Sequence, residues 1–256
     1  MQRRQIGFVF ANCFFGLLIA LNSAALAQDV PLNAHQKELS RQGDSQLAAN
    51  NADAAIAIWR SLLDTLTNPV DKADVWSRIG EAYRRKGDLD ESLRSLQRAA
   101  ALVPDNASLL TNVGMLYEAR NDPARARQAY ERALKLLPDN PLALNNLALL
   151  LANDPTALDK ALDYALHAQR LMPQSMEVAD TVGWIYLKQN KPASAAELFK
   201  TAVAASAANP EFHYHYAMAL RRQGKTEEAA SECRAALDHS PGDELRKAIH
   251  QECEPK

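Results

Sequence analysis

The sequence predicts an all-α protein built from stacked, antiparallel helix pairs. Three observations predict it. A pattern of small and large residues recurs every 34 positions. Small residues recur at one fixed place in the first helix of each copy and at another in the second. Prolines and glycines fall near the ends of the expected helices. A fixed period of this size marks repeats, each too small to bury its apolar face alone, so that the copies must stack.

The elements follow in order. The first 27 residues carry the basic pair Arg3-Arg4, an uncharged apolar run from Ile6 to Leu21 and the small-x-small sequence Ala25-Leu26-Ala27. This is the layout of a secretory signal peptide cleaved before Gln28, by the general route rather than the twin-arginine one. A retained membrane anchor is the other reading, but the apolar run is short for a bilayer span. Cys13 lies inside the run, which excludes a lipidation site after it. Residues 28–35 read as a short disordered lead.

A weak first copy (36–72) holds Gly43, Ala55, Trp59 and Leu62 and ends near Pro69. The second (73–106) reads Trp76-x2-Ile79-Gly80-x2-Tyr83, then Gly87-Asp88, Ser92, Leu96, Ala99 and Pro104. The third (107–140) repeats it as Leu110-x2-Val113-Gly114-x2-Tyr117, then Asn121-Asp122, Ala126, Tyr130, Ala133 and Pro138. The fourth (141–175) carries Leu144, Leu147, Ala148, Ala161, Ala168 and Pro173, with one extra residue between Asp154 and Asp159. The fifth (176–209) carries Val182, Gly183, Tyr186, Ala195, Phe199 and Ala202. Its closing proline is displaced to Pro210, which predicts a longer second helix. The sixth (210–242) carries Ala217, Leu220, Gly224, Ala229, Ala236 and Pro241. Residues 243–256 read as a polar capping helix and tail, with Leu245, Ala248 and Ile249 facing inward.

This pattern resembles the tetratricopeptide-repeat (TPR) family, which implies a right-handed TPR solenoid of six helix pairs plus a C-terminal capping helix. In that family the first helix of each pair lines a concave binding face. Carried over, the lining positions are Glu81, Arg84 and Arg85; Asn112, Met115 and Glu118; Asn145, Asn146, Leu149 and Asn153; Asp180, Trp184 and Lys188; and Tyr214, His215, Met218, Arg221 and Arg222. Asparagine amides can bond a peptide backbone. Paired arginines suit carboxylates. Trp184, Tyr214, Met115 and Met218 are apolar anchors. The other reading of these side chains is solvated helix faces or, for Trp184, cover by a neighbouring repeat. With Trp184 on the groove wall, Trp184→Ala should weaken partner binding by about 2 kcal/mol and barely change the fold. The lysine, asparagine and arginine clamp of some family members is incomplete here. The runs Asn145-Asn146-Leu147-Ala148, Asp180-Thr181-Val182-Gly183-Trp184 and Asn209-Pro210-Glu211-Phe212-His213-Tyr214-His215 resemble exported bacterial TPR proteins of exopolysaccharide assembly, over about a third of the chain.

Catalytic constellations are missing from the sequence: it has no Gly-rich phosphate loop, HExxH, CxxCH or GxSxG. The six histidines are scattered, and His213 and His215 do not share a helix face, so they read as surface or groove residues. The expectation is no enzyme, no cofactor and no metal. Net charge is −2, and −4 without residues 1–27, with no basic block, which points away from nucleic acid. Membrane contact is expected only through the signal peptide or a partner. The expected function is a protein- or peptide-binding adaptor in assembly of a periplasmic or envelope complex. Its rivals are a self-associating scaffold and a non-catalytic accessory of an envelope polysaccharide enzyme. Cys233 and Cys253 remain after cleavage and lie on helices that pack together, so they can pair in an oxidising compartment.

Overall fold

The computed structural model describes residues 31–253; the expected signal peptide (1–27) and residues 28–30 and 254–256 lie outside them. All regular structure among the described residues is helical. The chain divides into two compact units at Pro138 and Asp139.

The first unit holds three helix pairs: α1 (Ala34–Ala48) with α2 (Ala52–Thr65), α3 (Pro69–Arg85) with α4 (Leu89–Leu102), and α5 (Ala107–Ala119) with α6 (Pro123–Leu136). The second holds α7 (Pro141–Leu151) with α8 (Leu158–Leu171), α9 (Met176–Lys188) with α10 (Pro192–Ala205), α11 (Pro210–Arg222) with α12 (Thr226–Asp238), and the cap α13 (Asp243–Cys253).

Local chemistry explains these boundaries. Side chains of Asn68, Asp88, Asn106, Asp122, Asn140, Ser175 and Asn209 accept from backbone N–H groups of the helices they open. These satisfy donors that a first turn leaves unpaired. Between the helices of a pair the chain turns through a left-handed residue, Gly87 at φ 80° and Asn121 at φ 58° in consecutive copies. Glycine and asparagine tolerate that conformation best. In the fourth copy the extra residue is absorbed by a 3-10 turn, Pro155–Ala157, opened by Asp154.

Three expectations change at this level. Ala34 and His35, expected in a disordered lead, form the first turn of α1, because Asn33 and Gln36 cap it reciprocally. Pro69 and Pro210 begin helices α3 and α11 instead of closing the helices before them. A proline at the first helical position loses no hydrogen bond. So α10 has 14 residues, like α4, α6 and α8, and is not longer, and α3 starts four residues before the expected boundary at 73.

The cores are made of large residues set against small ones. A Cβ added at Gly114 would lie 2.5 Å from the Tyr130 ring, and one at Gly183 would lie 2.7 Å from Phe199. Trp59, Leu62 and Ile79 centre one cluster of the first unit, and Leu96, Leu109 and Leu116 another. In the second unit α13 closes a cluster of Tyr214, Ala217, Cys233, Ala236, Ala248 and Ile249.

Cys233 and Cys253 are joined by a disulfide across α12 and α13, with Cα atoms 6.2 Å apart. Their sequence separation of 20 implies about 3 kcal/mol of stabilisation through restriction of the unfolded chain. Unreduced, unfolded protein is therefore expected to show no free thiol in a colorimetric count, and reduction to loosen α13 first. Two free thiols per chain from the native compartment would refute this pairing.

Candidate functional site

The first helices of successive pairs lie side by side: α3 and α5 line one depression in the first unit, and α9 packs against both α7 and α11 in the second. Their side chains form the candidate binding face of each unit.

In the first unit the charges of this face are closed on one another. Glu81 accepts from Arg84 at 2.7 and 2.8 Å and from Arg85 at 2.8 Å. Burial alone would raise the Glu81 carboxyl, but the two guanidinium groups hold it below its usual value. Beside this cluster a shallow depression is lined by Ser77, Leu96, Asn112 and Leu116. Asn112 and Met115 are half-buried.

Glu118, farther along α5, receives the Tyr130 hydroxyl proton in a hydrogen bond. Burial raises its carboxyl to about 7, and the tyrosine bond only partly offsets this. A raised folded pKa means that Glu118 favours folding below its unfolded value, and that the benefit fades as pH rises through about 7. Glu118→Gln is therefore expected to stabilise the protein by about 2 kcal/mol at pH 8 and to change little at pH 5. Urea titrations at the two pH values test this; equal gains at both would remove the buried charge as the cause.

In the second unit the face is layered by depth. The deepest layer is Asn145 on α7, Asp180 on α9 and His215 on α11. His215 is 1% exposed and Asp180 4%. His215 Nδ1 donates to both Asp180 oxygens at 2.9 Å. Desolvation alone would lower the imidazole pKa, but the Asp180 charge and hydrogen bond, with Glu211, raise it above the usual histidine value. Glu211 is raised in turn, by burial and then by Asp180. Asn145 is 6% exposed, and its Oδ1 has no hydrogen-bond partner. One helical turn farther, about 6 Å along each axis, come Leu149, Trp184 and Met218. One turn beyond stand Lys188 and Arg222, both exposed, with Asn153 in the turn after α7.

Several expected wall residues are floor. Trp184 is 6% exposed, Tyr214 2% and Asn146 8%. The Trp184 ring lies 4.9 Å from the His215 ring, and the Lys188 ammonium lies 4.8 Å from the indole centroid. The His215 ring of α11 covers the indole. Tyr214 is covered by α13; burial and then Glu252 raise its hydroxyl pKa. Leu149, Lys188, Met218, Arg221 and Arg222 remain accessible.

The histidines also differ from expectation. His213, like His215, is buried, and its ring nitrogens lie 2.6 Å from Glu232 Oε2 and 2.9 Å from the Ala207 carbonyl. The two rings serve opposite neighbours, as their two-residue spacing requires. The Asp180–His215 and Glu118–Tyr130 pairs went unrecognised in sequence; the only trace was polar residues at core-side positions. No group of three or more ligand-type side chains suited to a metal occurs among the described residues, and none of their helices is long and apolar enough to cross a membrane.

Family models described as tetratricopeptide repeat match residues 71–139, 113–175 and 183–244, together more than half of the chain. The chain belongs to the tetratricopeptide-repeat family. Its TPR solenoid is similar to a solved TPR protein of Parabacteroides merdae, with 17% identity, TM-score 0.71, and coverage of 86% of this chain and 87% of that one. It is also similar to PilW, a type IV pilus biogenesis factor, with 16% identity, TM-score 0.70, and coverage of 85% and 100%. A chain of the Cut9–Hcn1 hetero-tetramer of the APC/C matches at 15% identity and TM-score 0.72, over 86% of this chain but 43% of its own length. At these identities the likeness is one of fold. No curated protein matches in sequence.

Proposed function

We propose that this TPR chain is a non-catalytic adaptor that binds a protein or peptide on the first-helix face of the second unit. The observation that carries this reading is the buried Asn145 Oδ1 without a partner, beneath accessible Leu149, Met218, Lys188 and Arg222. A buried polar atom left unpaired costs stability, and a ligand N–H would satisfy it. Apolar and cationic side chains around such an atom suit an extended segment.

The adaptor is exported and works in assembly of a periplasmic or envelope complex. Arg3-Arg4, the apolar run and Ala25-Leu26-Ala27 support export, and the Cys233–Cys253 bond suits an oxidising compartment. PilW, a type IV pilus biogenesis factor, has a similar fold, which supports this reading.

Cross-linking in the native envelope followed by mass spectrometry tests this. The expected cross-links join a heterologous protein to α7, α9 or α11 of a chain starting at Gln28. A chain retaining Met1 in the cytoplasm would overturn export. An apparent molar mass by light scattering that grows with concentration, with cross-links only between copies, would replace the adaptor with a self-associating scaffold.

A further inference from the structure

The same repeat position holds Glu81, Met115, Leu149, Trp184 and Met218 in successive copies. Four residues later stand Arg85, Ala119, Asn153, Lys188 and Arg222. In the second copy the two positions neutralise each other, since Glu81 grips Arg85 and also Arg84. In the fifth and sixth copies the glutamate position is taken by Trp184 and Met218, which carry no charge, while the cations are kept. Arg221 occupies the Arg84 position, so the sixth copy preserves both arginines without their carboxylate.

Among the described residues, Lys188, Arg221 and Arg222 make no salt bridge with a carboxylate, whereas Arg78, Arg84, Arg85, Lys86, Arg94, Arg120 and Arg125 of the first unit all do. Arg222 donates to the Leu187 carbonyl at 3.1 Å, which sets its guanidinium beside the end of α9, near Lys188. Lys188 is held over the Trp184 ring. Burial, and then the neighbouring Arg222 charge, lower its pKa. The acids of the same face, Asp180 and Glu211, lie about two and three turns away at its deep end, where Asp180 is engaged by His215.

We propose that Lys188, Arg221 and Arg222 form an anion subsite that takes carboxylate side chains of an acidic peptide segment, whose apolar residues cover Leu149 and Met218 and whose backbone N–H reaches Asn145 Oδ1. The ligand supplies the carboxylate that the fifth and sixth copies lack and the second copy provides internally. From the Asn145 level to the cation level is eight residues of helix rise, about 12 Å, which about four extended residues span. The inference rests on the peptide-binding reading and adds the charge of the peptide.

The test uses the full mature chain and fluorescent peptides, acetylated and amidated, with the sequence Glu-Leu-Glu-Ala repeated twice, and the same peptide with Gln for Glu. Fluorescence anisotropy should show the Glu peptide binding at least about tenfold more tightly, with the difference shrinking as salt is added. Met218→Glu recreates the internal grip of the second copy and should abolish the difference. Because Met218 also packs beneath α13, the exposed double variant Lys188→Gln, Arg221→Gln is measured beside it; loss of the Glu preference with unchanged circular dichroism is expected. Equal binding of both peptides, blocked by Leu149→Arg, would overturn the anion subsite and leave the peptide-binding face standing. Binding of neither peptide would overturn both. Displacement of the Glu peptide by oligogalacturonate at lower concentration than by unlabelled peptide would overturn the peptide as occupant in favour of an acidic glycan.

Discussion

Trp184→Ala is expected to destabilise the protein by about 3–5 kcal/mol, the usual cost of truncating a large buried aromatic. The indole is 6% exposed and packs on the His215 ring and under the Lys188 ammonium. Its removal would leave a cavity beside His215 between α9 and α11, because each helix is held in place by its own second helix, α9 through Gly183 against Phe199 and α11 through Ala217 beside Cys233 and Ala236. It would also take away the platform that holds Lys188. Urea unfolding followed by circular dichroism should show a clear fall in midpoint, with the later repeats melting first, as neighbour-stabilised arrays allow. A loss under 1 kcal/mol with weakened partner binding would return Trp184 to the binding wall.

Asp180→Asn is expected to cost about 3 kcal/mol near pH 5, as breaking a buried charge pair does, and distinctly less at pH 8. In the native protein the raised His215 pKa means that the ring favours folding below its unfolded value near 6.5. That contribution is lost as pH rises through the folded value. With asparagine in place, desolvation acts on His215 with only Glu211 as a nearby charge, and its pKa falls, so protonation then opposes folding in acid. The groups packed on the ring are Asp180, Glu211, Trp184, Phe199 and Tyr214. Stability curves of the two proteins from pH 5 to 8 should converge as pH rises; parallel curves would mean that His215 does not titrate across this range.

Tyr130, Phe199 and Cys233 occupy one repeat position of the second helix. All three are buried. Gly114 and Gly183, at the recurrent small-residue place of the first helix, sit against Tyr130 and Phe199. Such positions are legible because packing within a pair depends on residues at a fixed short separation, and the period repeats that separation. The lining positions were less legible. Arg221, Arg222 and Lys188 stand exposed as carried over, but Trp184, Tyr214, Asn145 and Asp180 are buried. Whether a first-helix side chain is wall or floor depends on how closely the next first helix approaches and, for Tyr214, on the cap. Both are contacts about a repeat or more away in sequence.

The sequence by itself determined the helix pairs, their turns and small-residue crossings, and the family, because these follow from periodic local patterns of size, capping and chain reversal. Only the tertiary structure decided which charges are spent internally. Glu81 holds Arg84 and Arg85, Asp180 holds His215, and Lys188, Arg221 and Arg222 keep no carboxylate among the described residues. The physical reason is range. A helix forms from neighbours a turn apart, whereas an ion pair such as Asp180–His215 forms across 35 residues, between helices whose separation is set by the packing beneath them.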